Sequence, residues 1–357
     1  MKNMISEIRI KNYRGITDLN LVDLKPINIL AGDNNCGKTS VLEVIKGAEF
    51  AEGIHAWSTL LRREKLSLYE SFVDLFNIDA DEKKIEFEIY GDEKKHVIIN
   101  MQECVEELTT EEYREVVHSN NLKDEDLSDV FFVNKAEYSI FVNDKKTDNG
   151  FIYDGQPTFR KGKVISSSKQ KNIYISSTSH AESQIYLRDV LNNPKLYEEM
   201  LNVLKAYDSG IMSINYDRYS EEIGSRGIYK ILSQDHAKAL PLNMYGDGMK
   251  KAVLLMSAVI KAKDGILLLD EFETAIHTSA MTKTFKWILE TCRKLNVQVF
   301  MTSHSIEAIS KVLTCSDELI DSIALFTLYK NDNNVKVRRL DGRKAMEAKE
   351  EMGLELR

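Results

Sequence analysis

The spacing of apolar and polar positions changes character several times along the chain. Residues 4–10, MISEIRI, and 18–24, DLNLVDL, alternate apolar and polar as half-buried strands do. Residues 27–30, INIL, form a continuous apolar run suited to a strand covered on both faces. From residue 38 to 50 the apolar positions Val41, Leu42, Ile45 and Ala48 recur at helical spacing. The order is therefore strand, loop, helix.

From residue 52 to 240 the pattern is mixed and polar. It predicts strands at KIEFEIYG, HVIINM, AEYSIFVND and NIYIS and an amphipathic helix at PKLYEEMLNVLKAY. No heptad persists over several repeats, so no long coiled coil is expected. After residue 240 regularity returns: a helix over 249–263, the strand GILLLD, a helix over 279–295, the strand VQVFMTS and a helix from 304, followed by the strands SIALFTLY and NVKVRRL and a charged terminal helix. Strands alternating with helices predict a doubly wound, mainly parallel sheet, here built from residues 1–51 and 241–357, with antiparallel N-terminal strands and residues 52–240 as an α+β insertion with peripheral sheet.

Composition narrows the choices only a little. The 357 residues carry a formal charge of −8, which gives no overall pull toward nucleic acid or anionic lipid. The basic clusters at 160–171 and 337–344 either contact a phosphate backbone or are solvated loops, so DNA binding is left open without being indicated. Cys36, Cys104, Cys292 and Cys315 show neither zinc nor disulfide spacing. No apolar run approaches a membrane span and no signal-peptide pattern opens the chain, so a cytoplasmic protein without a membrane partner is expected.

The chemistry concentrates at strand ends. Gly32, Asp33, Asn34, Asn35, Cys36, Gly37, Lys38 and Thr39, with Ser40 following, match G-x-x-x-x-G-K-[ST]. In such a loop backbone N–H groups wrap phosphates, Lys38 neutralises the outer ones and the Thr39 hydroxyl holds Mg2+. ILLLDE at 266–271 ends a buried strand in two carboxylates: Asp270 to ligate Mg2+ through water, Glu271 to orient and deprotonate an attacking water. A third strand end, VFMTSHS, offers His304 to a terminal phosphate. The segment LNMYGDGMKKAVLL adds Gly246 and Gly248 before a helix whose N-terminus suits an anion.

That order of motifs resembles the ABC-type ATPase heads, including SMC-like and OLD-family proteins. IRIKNYRGI, INILAGDNNCGKTSVLEVI, LLLDEFETAIH and TSHS look most like the stand-alone ABC-type AAA ATPases of bacterial antiphage systems such as PARIS or Septu. The resemblance covers about residues 4–50 and 240–315. It implies ATP and Mg2+ as cofactors and a homodimer or larger homo-oligomer in which Tyr245, Gly246 and Gly248 of one copy close on the ATP held by the other. It departs from the family at the signature, where ABC transporters have Ser-Gly-Gly and this chain has Tyr245, Gly246, Asp247 and Gly248. It further implies Gln184 as a Mg2+ contact and Arg14 near the nucleotide, and gives His277 two alternatives, reaching across the dimer or capping the next helix.

The resulting expectation is a slow ATPase switch that dimerises on ATP and controls a separately encoded nuclease or toxin effector. With 53 residues after His304, no appended nuclease domain is expected. The alternative is a RecF- or SMC-like repair ATPase that binds DNA directly.

Overall fold

Two six-stranded sheets lie on either side of one helix. The structure, a computed structural model, describes residues 4–54, 57, 60–61, 66–117, 130–158, 171–179, 186–217, 228–331 and 334–352. In chain order the elements are β1 (Glu7–Tyr13), β2 (Ile16–Leu21), β3 (Ile27–Gly32), α1 (Lys38–Gly47), α2 (Leu68–Val73), β4 (Lys84–Tyr90), β5 (Lys94–Thr109), α3 (Thr110–Val117), β6 (Val130–Val142), β7 (Lys145–Tyr153) and β8 (Asn172–Ile175). There follow α4 (Leu187–Leu191), α5 (Pro194–Leu204), β9 (Ile211–Asp217), β10 (Ile228–Ser233), β11 (Leu240–Pro241), α6 (Asp247–Lys261), β12 (Ile266–Leu269), α7 (Thr278–Lys294), β13 (Gln298–Ser303), α8 (Ile306–Leu313), β14 (Ile323–Asn331), β15 (Asn334–Asp341) and α9 (Gly342–Met352).

The core sheet has the order β15-β14-β3-β13-β12-β8 and is parallel except at the β14–β15 edge. Its strands β3, β12 and β13 are buried at every position, as the unbroken apolar runs require. Leu30, Leu268, Phe300 and Phe326 face α1 and the second sheet, whereas Ile29, Leu267, Leu269, Met301 and Leu325 face the helices on the other side. Helix α6 is buried from Lys251 to Val259 around its whole circumference, which accounts for its dense apolar sequence.

The second sheet is antiparallel, in the order β2-β1-β4-β5-β6-β7. On β1, Ile8 and Ile10 point into the core; Arg9 and Lys11 point out, with Arg9 near Glu88 across the ladder. The elements differ from the periodicity in informative places. β5 runs on to Thr109, well past the apolar HVIINM, because its outer half pairs with β6 away from the main core. β7, β9 and β10 escaped the pattern since few of their positions are buried. β8, from the middle of the sequence, is the edge of the core sheet next to β12.

Candidate functional site

The phosphate loop joins β3 to α1 and is shaped by positions that only certain residues tolerate. Gly32 has φ +138°, and a Cβ there would lie 2.1 Å from the Leu328 carbonyl oxygen of the neighbouring strand. Gly37 has φ +90° and Asn35 φ +61°, the left-handed conformation that asparagine accepts more readily than most residues. Asp33, Asn34 and Asn35 form the exposed crest while Cys36 is buried beneath, its Sγ 3.8 Å from Lys38 Nζ. Lys38 Nζ donates to the carbonyls of Gly32 (2.8 Å) and Asp33 (2.7 Å), so the lysine closes the loop over itself. Ser40 is buried in the first turn of α1.

Helix starts differ in their caps, and the short α4 begins behind Tyr186 with no side-chain cap. α2, α5, α7 and α8 are capped by the side chains of Ser67, Asn193, His277 and Ser305. α1 and α6 start on Gly37 and Gly246 with no side-chain cap, which leaves their first-turn N–H groups to another acceptor. α6 begins at Asp247, two residues earlier than its periodicity predicts. An acidic residue suits the first turn, and Gly248 therefore lies inside the helix. A Cβ on Gly248 would come within 2.9 Å of the Ala275 carbonyl oxygen, whereas the space around Gly246 is open. Tyr245 precedes them with its hydroxyl buried and its pKa pushed up by burial. Met244 is 71% exposed.

At the end of β12, Asp270 is the hub of a four-element cluster. Its carboxylate accepts from Thr39 Oγ1 (3.0 and 3.2 Å), from Thr302 Oγ1 (2.6 Å) and from Tyr174 OH (3.3 Å). The parallel ladder sets Leu269 beside Ile175 and Met301, which brings Tyr174 of β8 and Thr302 of β13 to the same end of the sheet. The Thr302 hydroxyl also accepts from the Glu271 backbone N–H (2.8 Å), which fixes Glu271 in its left-handed turn at φ +42°. Glu273 accepts from Ser303 Oγ (2.7 Å) and lies 3.8 Å from His304 Nδ1, with His304 about half exposed. Thr39 and Asp270 present hard oxygen donors, and among the described residues no cluster of three or more His, Cys, Asp or Glu side chains is arranged for a metal. One carboxylate, one hydroxyl and substrate phosphates is the donor set that suits Mg2+.

Sequence reasoning missed Tyr174, Thr302, Glu273 and Lys251. Lys251 of α6 is fully buried, its Nζ 3.3 Å from the carbonyls of Ser176 and Ser177, and burial holds its pKa down at about 8 despite Asp270, Glu273 and Glu271 nearby. A charged residue inside the apolar stretch of a helix was the signal available. The Arg14 guanidinium donates to Glu43 of α1 (2.8 Å) and to the Leu60 carbonyl (3.0 Å), with Tyr13 OH on the same carboxylate. His277 caps α7 through Nδ1, the second of its two alternatives. Gln184 and most of the 160–171 cluster lie outside the described residues. In the other basic cluster, Arg339 pairs with Asp341 and Arg343 with Asp321.

The fold and site have counterparts among known proteins. The structure resembles the crystal structure of an Smc head bound to the C-terminal winged-helix domain of ScpA, with a TM-score of 0.55 at 12% identity over 96% of this chain and 99% of that one. It also resembles the Smc head with an extended coiled coil bound to the C-terminal domain of ScpA derived from Pyrococcus furiosus, with a TM-score of 0.52 at 10% identity over 98% and 99%. A Helicobacter pylori protein named ATP/GTP phosphatase is 24% identical over 370 residues, spanning 95% of this chain and 96% of its own. Residues 27–310 match the family described as "AAA domain, putative AbiEii toxin, Type IV TA system". That match runs from the strand before the phosphate loop to the helix after His304, and the chain belongs to this family of AAA-domain ATPases.

Proposed function

We propose that this chain is an Mg2+-dependent ATP switch of a bacterial antiphage defence system, which dimerises on ATP and controls a separately encoded nuclease or toxin effector. The observation that carries the dimer is the pair of uncapped, glycine-led helix starts: α1 behind the phosphate loop, and α6 with open space at Gly246 and exposed Met244 beside it. The first suits the ATP of its own copy and the second the ATP of its partner. The description of the family as toxin–antitoxin components supports a role in a defence pair.

In this reading Lys38 leaves the Gly32 and Asp33 carbonyls for the outer phosphates. Thr39 and Asp270 hold Mg2+, which when bound neutralises charge on the phosphates. Glu271, fixed through its N–H on Thr302, orients the water and takes its proton, and His304 contacts the terminal phosphate.

The test is Glu271→Gln. It keeps Asp270 and removes the base, so kcat should fall about 100-fold or more with ATP binding retained, and the protein should run as a dimer when ATP is present. Purification of that variant from its native host should yield one stoichiometric partner protein. Wild-type hydrolysis by Glu271→Gln overturns the catalytic assignment. Recovery of DNA and repair factors in place of a dedicated partner favours the RecF- or SMC-like alternative.

A further inference from the structure

Lys251 is the feature of the site for which the motifs give no use. It lies in the second turn of α6, on a helix otherwise buried among Ala252, Val253, Leu254 and Leu255, and its side chain is fully enclosed. Neighbouring Lys250 has a simple surface role, pairing with Asp247 one turn back. Lys251 does not: an ammonium taken out of water needs strong partners, and it sits toward the helix end where the dipole disfavours a cation. Its hydrogen bonds, to Ser176 and Ser177 carbonyls at 3.3 Å each, are long. Among the described residues no carboxylate reaches ion-pair distance of Nζ. The attraction it does feel comes from Asp270 first, then Glu273 and Glu271, and it offsets only part of the cost of burial.

The carboxylates have the complementary problem. Asp270, Glu271 and Glu273 fall within four consecutive residues at one strand end, and Glu273 Oε2 is buried with no hydrogen-bond partner among the described residues. Three negative charges in one corner repel unless a cation lies among them. Lys251 also holds the main chain just after β8, one residue beyond Ile175, whose carbonyl accepts from the Asp270 N–H, and close to Tyr174, which donates to the Asp270 side chain.

We propose that Lys251 is a positioning residue of the ATPase site: its buried ammonium is the counter-charge that keeps Asp270, Glu271 and Glu273 at their working separations and pins the Ser176–Ser177 chain beside them. It touches neither ATP nor the attacking water. The inference rests on the reading of Asp270 and Glu271 as the catalytic carboxylates.

Two neutral variants of the full chain separate charge from tether. Lys251→Gln retains two N–H donors for the two carbonyls but carries no charge; Lys251→Met fills the space with neither; Lys251→Arg restores the charge. Phosphate release gives kcat and KM, and a fluorescent ATP analogue in EDTA gives nucleotide affinity without metal. Both neutral variants should lose kcat by about 100-fold while analogue affinity in EDTA stays within about threefold of wild type, and Lys251→Arg should recover at least about tenfold of the loss. If Lys251→Met fails to fold, the Gln variant must show the loss alone. Wild-type kcat in Lys251→Gln overturns the proposal and leaves a packing and hydrogen-bonding role. Equal losses of kcat and EDTA affinity without rescue by Arg overturn it as well. Failure of the underlying reading looks different: wild type and Glu271→Gln would then hydrolyse ATP at the same rate, whatever Lys251 does.

Discussion

The site has two corners, each with a buried lysine, and they are held together by different means. In the phosphate corner Lys38 bonds to carbonyls five and six residues behind it, and the loop takes its shape from Gly32, Asn35 and Gly37. In the carboxylate corner Lys251 bonds to residues 74 and 75 positions away, and Asp270 gathers hydroxyls from α1, β8 and β13. The first corner is built by local backbone conformation; the second exists only once the parallel sheet is in register. Damage to the first should therefore be confined to binding. Damage to the second should spread into catalysis and stability together.

The sharpest test of that contrast is Lys38→Ala. Nothing else in the loop carries a cation to the outer phosphates, so ATP affinity should fall by about 1,000-fold, roughly 4 kcal/mol, with little change in melting temperature. Binding of a fluorescent ATP analogue and a thermal melt check both halves; a large drop in melting temperature would break the comparison.

Thr302→Val probes the other corner. It removes the 2.6 Å donor to Asp270 and the acceptor of the Glu271 N–H, leaving buried polar atoms unmatched. A stability loss of about 3 kcal/mol with at least about tenfold lower kcat is expected, read by denaturant unfolding and phosphate release. Loss of kcat alone would show that the sheet holds these strand ends without help from Thr302.

The smallest effect is that of pH on Lys251. Its folded pKa of about 8 lies below the usual lysine value, so between about pH 8 and 10.5 the unfolded chain binds more protons than the folded one. This residue's cost to stability is therefore full below pH 8 and shrinks as pH rises through that window. Wild type should gain about 1–2 kcal/mol relative to Lys251→Gln between pH 8 and 10, measured from denaturant midpoints. A constant difference would mean that the folded protein binds this proton as tightly as the unfolded chain.

What could be read from the sequence followed the same division. The phosphate loop, the Asp270–Glu271 strand end and the strand-end His304 are contiguous strings, and the alternation of buried strands with helices gave the parallel core. Thr302, Tyr174 and Glu273 are ordinary residues whose use depends on register between strands some 30 to 95 positions apart. Nothing local marks them. β5 was seen only as far as Met101 because residues 102–105 are exposed and give no apolar period. Arg14 was expected near the nucleotide; its partner Glu43, set beside it by α1, had no signal in the sequence.

The position of β3 in the core sheet also sets a timetable. Its partners are β13 and β14, so residues 27–32 are synthesised roughly 270 to 300 residues before the strands that flank them. At about 5–20 residues per second a ribosome needs roughly 15–60 s to supply them. The antiparallel sheet, whose strands all fall between Glu7 and Tyr153, is available long before. Packed against α1, it offers the nascent β3 one covered face while both its edges wait. The nucleotide site is thus among the last parts of the molecule to be completed, and a ribosome that stalls before β13 releases a chain that carries the phosphate loop but lacks the strand to set Thr302 beside Asp270.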